Sequence, residues 1–242
     1  RFCGVEPRRT SYGKKRLMNY HIGTMLIKEH FDGGKDCPVC RIKRAVDVRL
    51  TEQYLGEGVM EDHTRAEVNK LGFCSHHFSL LYSMRSKLGL ALQASTRMNT
   101  VMKDVEIAKN TKQAKKQAQK ILEKGSTCVI CKYLDEHMIR YYKTIAEVYS
   151  SQTTFKDDIL SGNGFCEEHY ARLLEYSAYA GGSQKEYLET LYTVQIRRLS
   201  GLSDNLLKFC DRHDYRRAGE PMGDEKHALK DFSDTFYGLD DK

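Results

Sequence analysis

Eight residues that are able to bind a metal ion occur as two copies of one pattern. In the first copy, the Cys-x-x-Cys and Cys-x-x-His pairs are Cys37, Cys40, Cys74 and His77. In the second copy, the same pairs are Cys128, Cys131, Cys166 and His169. The two pairs of a copy are separated by 33 residues in the first copy and by 34 in the second. Three thiolates and one imidazole are the donor set of a closed tetrahedral zinc site, so each copy predicts one Zn²⁺ ion.

The residues around the Cys-x-x-His pairs also repeat. Gly72-Phe73 precedes Cys74 as Gly164-Phe165 precedes Cys166. The first copy has two adjacent histidines, but the second has Glu168 at the position of His76. The repeat therefore selects His77 as the ligand and leaves His76 as its neighbour.

Each ligand pair is expected at the start of a helix, because residues three apart lie on the same side of a helix. Pro38 favours a helix start, and this helix is expected to end at Leu55 before Gly56. A returning segment from Val59 to Leu71 then brings Cys74 back beside Cys40. A Cys-x-x-His helix and a long helix complete each copy.

The long helix of the first copy is expected from Leu90 to Lys124. Four of its lysines recur at helical spacing and form a candidate contact surface for nucleic acid or an acidic partner: Lys109, Lys112, Lys116 and Lys120. A solvated helix face explains the same pattern. No recognised nucleic-acid-binding motif accompanies these lysines.

Helical periodicity runs through nearly the whole chain, which predicts an all-α fold built from two tandem similar units, each with its own Cys₃His site. Residues 1–36 are expected to form a basic arm and a first helix, 37–125 and 126–213 the two repeats, and 214–242 an extended C-terminal strap that packs on the body.

The composition agrees with a helical protein that does not cross a membrane. The chain of 242 residues has 30% charged residues, only 3 Pro, and a net charge of +6. No apolar run approaches the ~20 residues of a membrane helix. Thiolate ligands must stay reduced, which indicates a cytoplasmic location.

Other interpretations of the cysteines stay open. Cys₃His ligation also occurs in iron–sulfur clusters, and a Cys-x-x-Cys pair without metal can act in redox chemistry. A further pair, Cys210 and His213, has ligand spacing but no Cys-x-x-Cys partner, since Cys3 stands alone. We expect no site there.

The sequence resembles an uncharacterised bacterial family, one of the domain-of-unknown-function families, from about Met18 onward. The resemblance is carried by several blocks: Cys37-Pro38-Val39-Cys40, Tyr54-Leu55-Gly56 with Met60-Glu61, Thr64 to Asn69 leading into Gly72-Phe73-Cys74, Leu88 to Leu92, Gly164 to His169, and Asp214-Tyr215-Arg216 with Glu220-Pro221 and Lys226. The family usually has an aromatic residue in place of Met222 and lacks the Cys210 and His213 pair. The resemblance implies a cytoplasmic protein with two Cys₃His sites and implies no known activity.

Three functions are compatible with the sequence. The first is a metal-held binding module without enzymatic activity. The second is an enzyme, either a redox protein that uses the cysteines or a catalyst near Asp62, His63 and Arg65. The third is an oligomeric scaffold that uses the long helix. No phosphate-binding loop, nucleophile elbow or paired-carboxylate motif supports an enzyme, so the first function is preferred.

Overall fold

The computed structural model of the protein describes residues 23–213 and 221–239. Every regular element in these ranges is helical, which confirms the all-α prediction. The helices are α1 (residues 23–30), α2 (Pro38–Leu55), α3 (Asp62–Leu71), α4 (Ser75–Ser83), α5 (Lys87–Asp104), α6 (Thr111–Gly125), α7 (Val129–Ser151), α8 (Phe155–Ser161), α9 (Glu167–Glu175), α10 (Gln184–Arg212) and α11 (Ala228–Phe236). Short 3₁₀ turns lie at Glu57–Val59, Ser177–Ser183 and Asp224–His227.

The chain divides into two compact units that do not coincide with the two sequence copies. A single-segment unit comprises residues 43–139. A two-segment unit comprises the described residues before 43 and after 139. Both boundaries fall inside helices, α2 and α7. Each of these two helices therefore begins in one unit and ends in the other.

The two-segment unit is built around α10. Tyr187 and Leu191 of this helix are fully buried, and the Tyr149 hydroxyl lies 2.8 Å from the hydroxyl of Thr190. The buried guanidinium of Arg198 donates hydrogen bonds to the Lys35 and Asn163 carbonyls and to Thr235. One side chain thus ties three separate stretches of this unit to α10.

The C-terminal residues that are described contain more helix than an extended strap would. Helix α11 has nine residues and packs against α9 and α10. The residues from 214 to 220 and the basic arm before residue 23, with Cys3, lie outside the described residues.

In the single-segment unit, α3 and α5 pack together, and Val68, Leu81 and Leu90 are buried between its helices. Buried Gln93 of α5 donates a hydrogen bond from its side-chain amide to the Tyr54 carbonyl, 2.7 Å away. This bond satisfies a carbonyl at the C-terminal end of α2, where no intrahelical donor remains.

The prediction of one long helix from Leu90 to Lys124 is wrong, because the chain forms two helices there. Helix α5 ends at Asp104, and residues 105–110 are irregular. Asn110 then begins α6 by accepting a hydrogen bond from the Gln113 backbone at 2.9 Å. Asparagine is among the strongest N-cap residues, and this cap starts a new helix within the expected one.

No helix in the described part of the chain is both long and apolar enough to span a bilayer.

Candidate metal centres

All four ligand pairs occupy equivalent positions at helix starts. Cys74 and Cys166 are the N-cap residues of α4 and α9, and Cys37 and Cys128 directly precede α2 and α7. The second ligand of each pair lies three residues later, in the first helical turn. The N-cap and third helical positions face each other across this turn, which explains why the pattern uses a spacing of three.

The repeated glycine before each Cys-x-x-His pair has a backbone requirement. Gly72 has a φ of 69° and Gly164 a φ of 84°, and residues with a Cβ rarely adopt such values. A Cβ at Gly164 would also lie 3.2 Å from the Val194 carbonyl oxygen. The chain therefore turns at these glycines and delivers Cys74 and Cys166 in the extended conformation of an N-cap.

Four of the candidate ligands form the buried cluster, in the two-segment unit: Cys37, Cys40, Cys166 and His169. The Sγ atoms of Cys40 and Cys166 are 3.6 Å apart, and His169 Nδ1 lies 3.2 and 3.1 Å from them. Cys37 Sγ is 3.7 Å from the same nitrogen. All four residues are buried, and Gly238, beyond α11, would place a Cβ 3.7 Å from Cys40 Sγ. The C-terminal segment therefore covers this cluster.

The other four ligands form the half-exposed cluster, in the single-segment unit: Cys74, His77, Cys128 and Cys131. His77 Nδ1 lies 3.2 Å from Cys74 Sγ, 3.4 Å from Cys128 Sγ and 3.3 Å from Cys131 Sγ. Cys128 and His77 are buried, whereas Cys74 and Cys131 are partly exposed. The Val129 N–H donates to the Gly72 carbonyl at 3.0 Å. This hydrogen bond connects the segment that precedes α4 to the start of α7.

The eight sequence-predicted ligands thus come together as two sets of four, but the grouping within each copy was wrong. Each Cys-x-x-Cys pair meets the Cys-x-x-His pair of the other copy. Helix α2 has 18 residues and rises by about 27 Å, whereas α3, which was expected to return the chain, has ten residues and rises by only about 15 Å. The returning segment is therefore too short to bring Cys74 back to Cys40 at the start of α2. His77 lies beside Asp47 in the middle of α2 instead.

The two histidines differ on the side that faces away from the sulfurs. His77 Nε2 lies 2.8 Å from the Asp47 carboxylate, which fixes the ring and directs Nδ1 at the three thiols. Among the described residues, no hydrogen-bond partner exists for the buried Nε2 of His169. The His169 ring instead packs near the Tyr142 ring, with a centroid separation of 6.1 Å. Tyr142 in turn stacks on Tyr176.

The electrostatics of both clusters favour a bound cation. Burial raises the pKa of the Cys128 thiol, but His77 and nearby backbone N–H groups outweigh burial and lower this pKa to about 6. Burial lowers the pKa of His77, but Asp47 and the thiols outweigh it and raise this pKa to about 10. In the buried cluster, Cys166 raises the pKa of Cys40 by its proximity. The raised pKa means that the Cys40 thiol keeps its proton unless a bound cation offsets the charge of a deprotonated sulfur there.

The remaining candidates from the sequence do not join these clusters. Cys210 is exposed, and His213 Nδ1 lies 2.8 Å from the Phe209 carbonyl oxygen of its own helix. His76 is exposed and has its Nε2 3.7 Å from the Asp47 carboxylate. Asp62 and Arg65 form an ion pair on α3, beside a His63 side chain that is largely exposed.

The four lysines of the expected basic surface lie on different elements. Lys109 falls in the irregular connection before α6, whereas Lys112, Lys116 and Lys120 lie on α6, and all four are exposed. The Lys120 ammonium is 2.9 Å from Asp104, which also pairs with Lys124. A continuous stripe of unpaired lysines along one long helix does not form.

Comparison with known proteins places the chain in a family without an assigned function. The model of a family of unknown function, DUF6062, matches residues 18–237. The chain belongs to this family. This DUF6062 protein is also similar to an uncharacterized 23.9 kDa protein in the xynA 3′ region of Caldicellulosiruptor sp. (strain Rt8B.4). The two are 22% identical over 180 residues, which cover 74% of this chain and 83% of the relative. No solved structure matches the chain.

Sequence reasoning missed Asp47, the partner of His77. The second copy has Met138 at the equivalent position, seven residues after the second cysteine, so the repeat carried no signal for an acidic residue there. In the structure Asp47 is only 9% exposed, and this burial, not the sequence, distinguishes it.

Proposed function

We propose that this DUF6062 protein binds one zinc ion in each cluster and that both ions are structural. The observation that carries the proposal is the convergence of eight ligand atoms into two sets, with the atoms of each set within 4.8 Å of one another. Four protein ligands fill a tetrahedral coordination shell and leave no position for a substrate. We therefore infer a binding module rather than an enzyme.

The spacing of the ligands supports a single ion in each cluster. Sulfur ligands at ~2.3 Å and nitrogen ligands at ~2.0 Å around one tetrahedral zinc lie roughly 3.5–3.8 Å from one another. The ligand separations that include His77 or His169 Nδ1 are 3.1–3.7 Å, the Sγ atoms of Cys40 and Cys166 are 3.6 Å apart, and those of Cys74 and Cys131 are 3.8 Å apart. An iron–sulfur cluster has its protein ligands on different irons, which requires more space between the sulfurs.

Charge neutralisation supports the same assignment. Three thiolates in a site with little solvent repel one another. A dication among them would remove this repulsion and hold all three sulfurs deprotonated. Each cluster also lies at the N-termini of two helices, whose dipoles favour thiolates over thiols.

The structural role follows from the positions of the ligands in the sequence. In the buried cluster 125 residues separate Cys40 from Cys166, and in the half-exposed cluster 50 separate His77 from Cys128. An ion that joins such distant segments contributes its binding free energy to folding. Because the thiolates must stay reduced, we also infer a cytoplasmic location.

Metal analysis and an optical spectrum of freshly purified protein test the proposal. We expect about two zinc ions per chain, no visible absorption, and about one zinc in each of the single variants Cys40→Ser and Cys74→Ser. A chelator should remove the zinc and lower the unfolding temperature. Brown protein that contains iron and sulfide would instead establish iron–sulfur clusters, and protein without bound metal would refute the proposal.

A further inference from the structure

A surface pocket of about 410 Å³ lies in the single-segment unit, beside the half-exposed cluster. Its wall is mainly apolar and includes Leu71, Phe73, Phe78, Met98 and Val101. Phe78 and Met98 are exposed to solvent. Exposed apolar side chains grouped around a pocket often mark a binding site. The volume falls within the range of sites for small organic ligands.

One buried polar atom of the pocket lining has no partner. Gln93 is 1% exposed, and its amide nitrogen is identified by the hydrogen bond to the Tyr54 carbonyl, since only the nitrogen can donate. The other side-chain atom is therefore the oxygen Oε1, for which the described residues offer no donor. A buried acceptor without a donor is costly and rare in native proteins. A ligand with an N–H or O–H group would satisfy it.

One cation of the pocket lining has no carboxylate partner. Arg97 lies one helical turn after Gln93 on α5, and its Nη1 donates to the Asn69 and Lys70 carbonyls at the end of α3. These bonds hold the guanidinium in place, and no carboxylate of the described residues pairs with it. Gly72 faces the Nε and Nη2 atoms of Arg97. A Cβ at this position would lie 3.3 and 3.5 Å from them, so the lack of a side chain leaves both nitrogens uncovered on this side.

We propose that this pocket binds a small amphipathic organic acid, with an apolar body against the hydrophobic wall, an anionic group at Arg97 and a hydrogen-bond donor at Gln93. The second cation of the lining, Lys124, already pairs with Asp104, so one anionic group is enough. Arg97 and Gln93 lie on the same face of α5, about 6 Å apart. A compact ligand can therefore reach both side chains at once.

The proposal goes beyond the structural role of zinc and does not depend on which metal is bound. Gly72 and Thr127, which precede the ligands Cys74 and Cys128, line the pocket. The pocket therefore requires the half-exposed cluster to be folded, and the metal content of every variant is measured beside its ligand affinity.

Two fluorescent probes that differ only in charge provide the test. Anilinonaphthalenesulfonate has an aromatic body, an N–H donor and a sulfonate, and N-phenylnaphthylamine is the same molecule without the sulfonate. We expect the anionic probe to bind the native protein at one site and more tightly than the neutral probe by about tenfold, the usual effect of a charge-assisted hydrogen bond. Equal affinity for the two probes would overturn the role of Arg97.

Matched variants locate the site. Ala94→Phe should block the pocket, whereas Ala91→Phe places the same side chain on an exposed position of α5 outside the lining. Arg97→Gln should remove the preference for the anionic probe, and Arg97→Lys should retain it. Gln93→Met should weaken both probes, because both carry the N–H group. Equal binding to Ala94→Phe and Ala91→Phe, with circular dichroism and zinc content unchanged, would refute the pocket as a ligand site.

Discussion

The buried cluster and the half-exposed cluster have the same donors and the same position at two helix N-termini, but the fold gives them different surroundings. His77 is oriented by a hydrogen bond to Asp47, whereas the buried His169 finds no such partner among the described residues and packs near Tyr142. The C-terminal segment covers one cluster, and two cysteines of the other are partly exposed. The repeated pattern therefore supplies the same four candidate ligands to each cluster, while neighbouring helices determine rigidity and access.

The largest expected effect concerns which ligand pairs form one cluster. A Cys40→Ser, Cys166→Ser double variant should lose one zinc ion, because both substitutions affect the buried cluster. A Cys40→Ser, Cys74→Ser double variant should lose both ions and most of its stability, because it affects both clusters. Metal analysis distinguishes the two results.

The same pair of variants tests the contrary grouping directly. If each copy formed its own site, the first variant would lose both ions and the second only one. Cys210→Ser, which removes an exposed thiol outside both clusters, serves as the control and should retain two zinc ions.

The next effect concerns the hydrogen bond between His77 and Asp47, for which the described residues offer no counterpart at His169. Asp47→Asn should weaken zinc binding at the half-exposed cluster by about 10- to 100-fold, because it removes the charge that orients His77 and raises its basicity. Competition with a coloured chelator measures this affinity in a Cys166→Ser background. Glu52→Gln, on an exposed position of the same helix, should have no effect. An equal loss of zinc affinity in both variants would show that Asp47 does not support the site.

The difference in access should appear in thiol reactivity. When zinc is removed slowly by a chelator in the presence of an alkylating reagent, Cys74 and Cys131 should be modified about tenfold faster than Cys37 and Cys166, since a buried thiol reacts only after local opening. Mass spectrometry follows each cysteine, with exposed Cys210 as the internal reference. Modification of all ligands at one rate would show that the clusters open together.

The smallest effect concerns the aromatic packing at His169. Tyr142→Leu should weaken zinc binding at the buried cluster by a few-fold, because the ring that packs beside His169 is lost, at a cost of about 1 kcal/mol. Tyr142→Phe keeps the ring and should bind zinc as the native protein does. The affinity is measured in a Cys74→Ser background. A larger loss here than in Asp47→Asn would mean that packing orients a ligand histidine better than a hydrogen bond does.

Local features were predictable because they depend on residues close in sequence. The start of α2 at Pro38 and its end at Leu55 agree with the expectation, and the choice of His77 over His76 follows from the repeat. The break between α5 and α6 was missed because it depends on one capping residue, Asn110, within a segment of high helix propensity.

The sequence by itself determined the eight candidate ligands and their placement in pairs on helix starts, because a spacing of three residues acts within a single helical turn. It did not determine which pairs meet. A Cys-x-x-Cys pair completes a tetrahedral site equally well with either Cys-x-x-His pair, so the local pattern is the same for both groupings. Only the tertiary structure decided the matter, through the lengths of α2 and α3 and the path of the chain between them. The same packing placed Asp47 behind one histidine and left the other without a hydrogen-bond partner among the described residues.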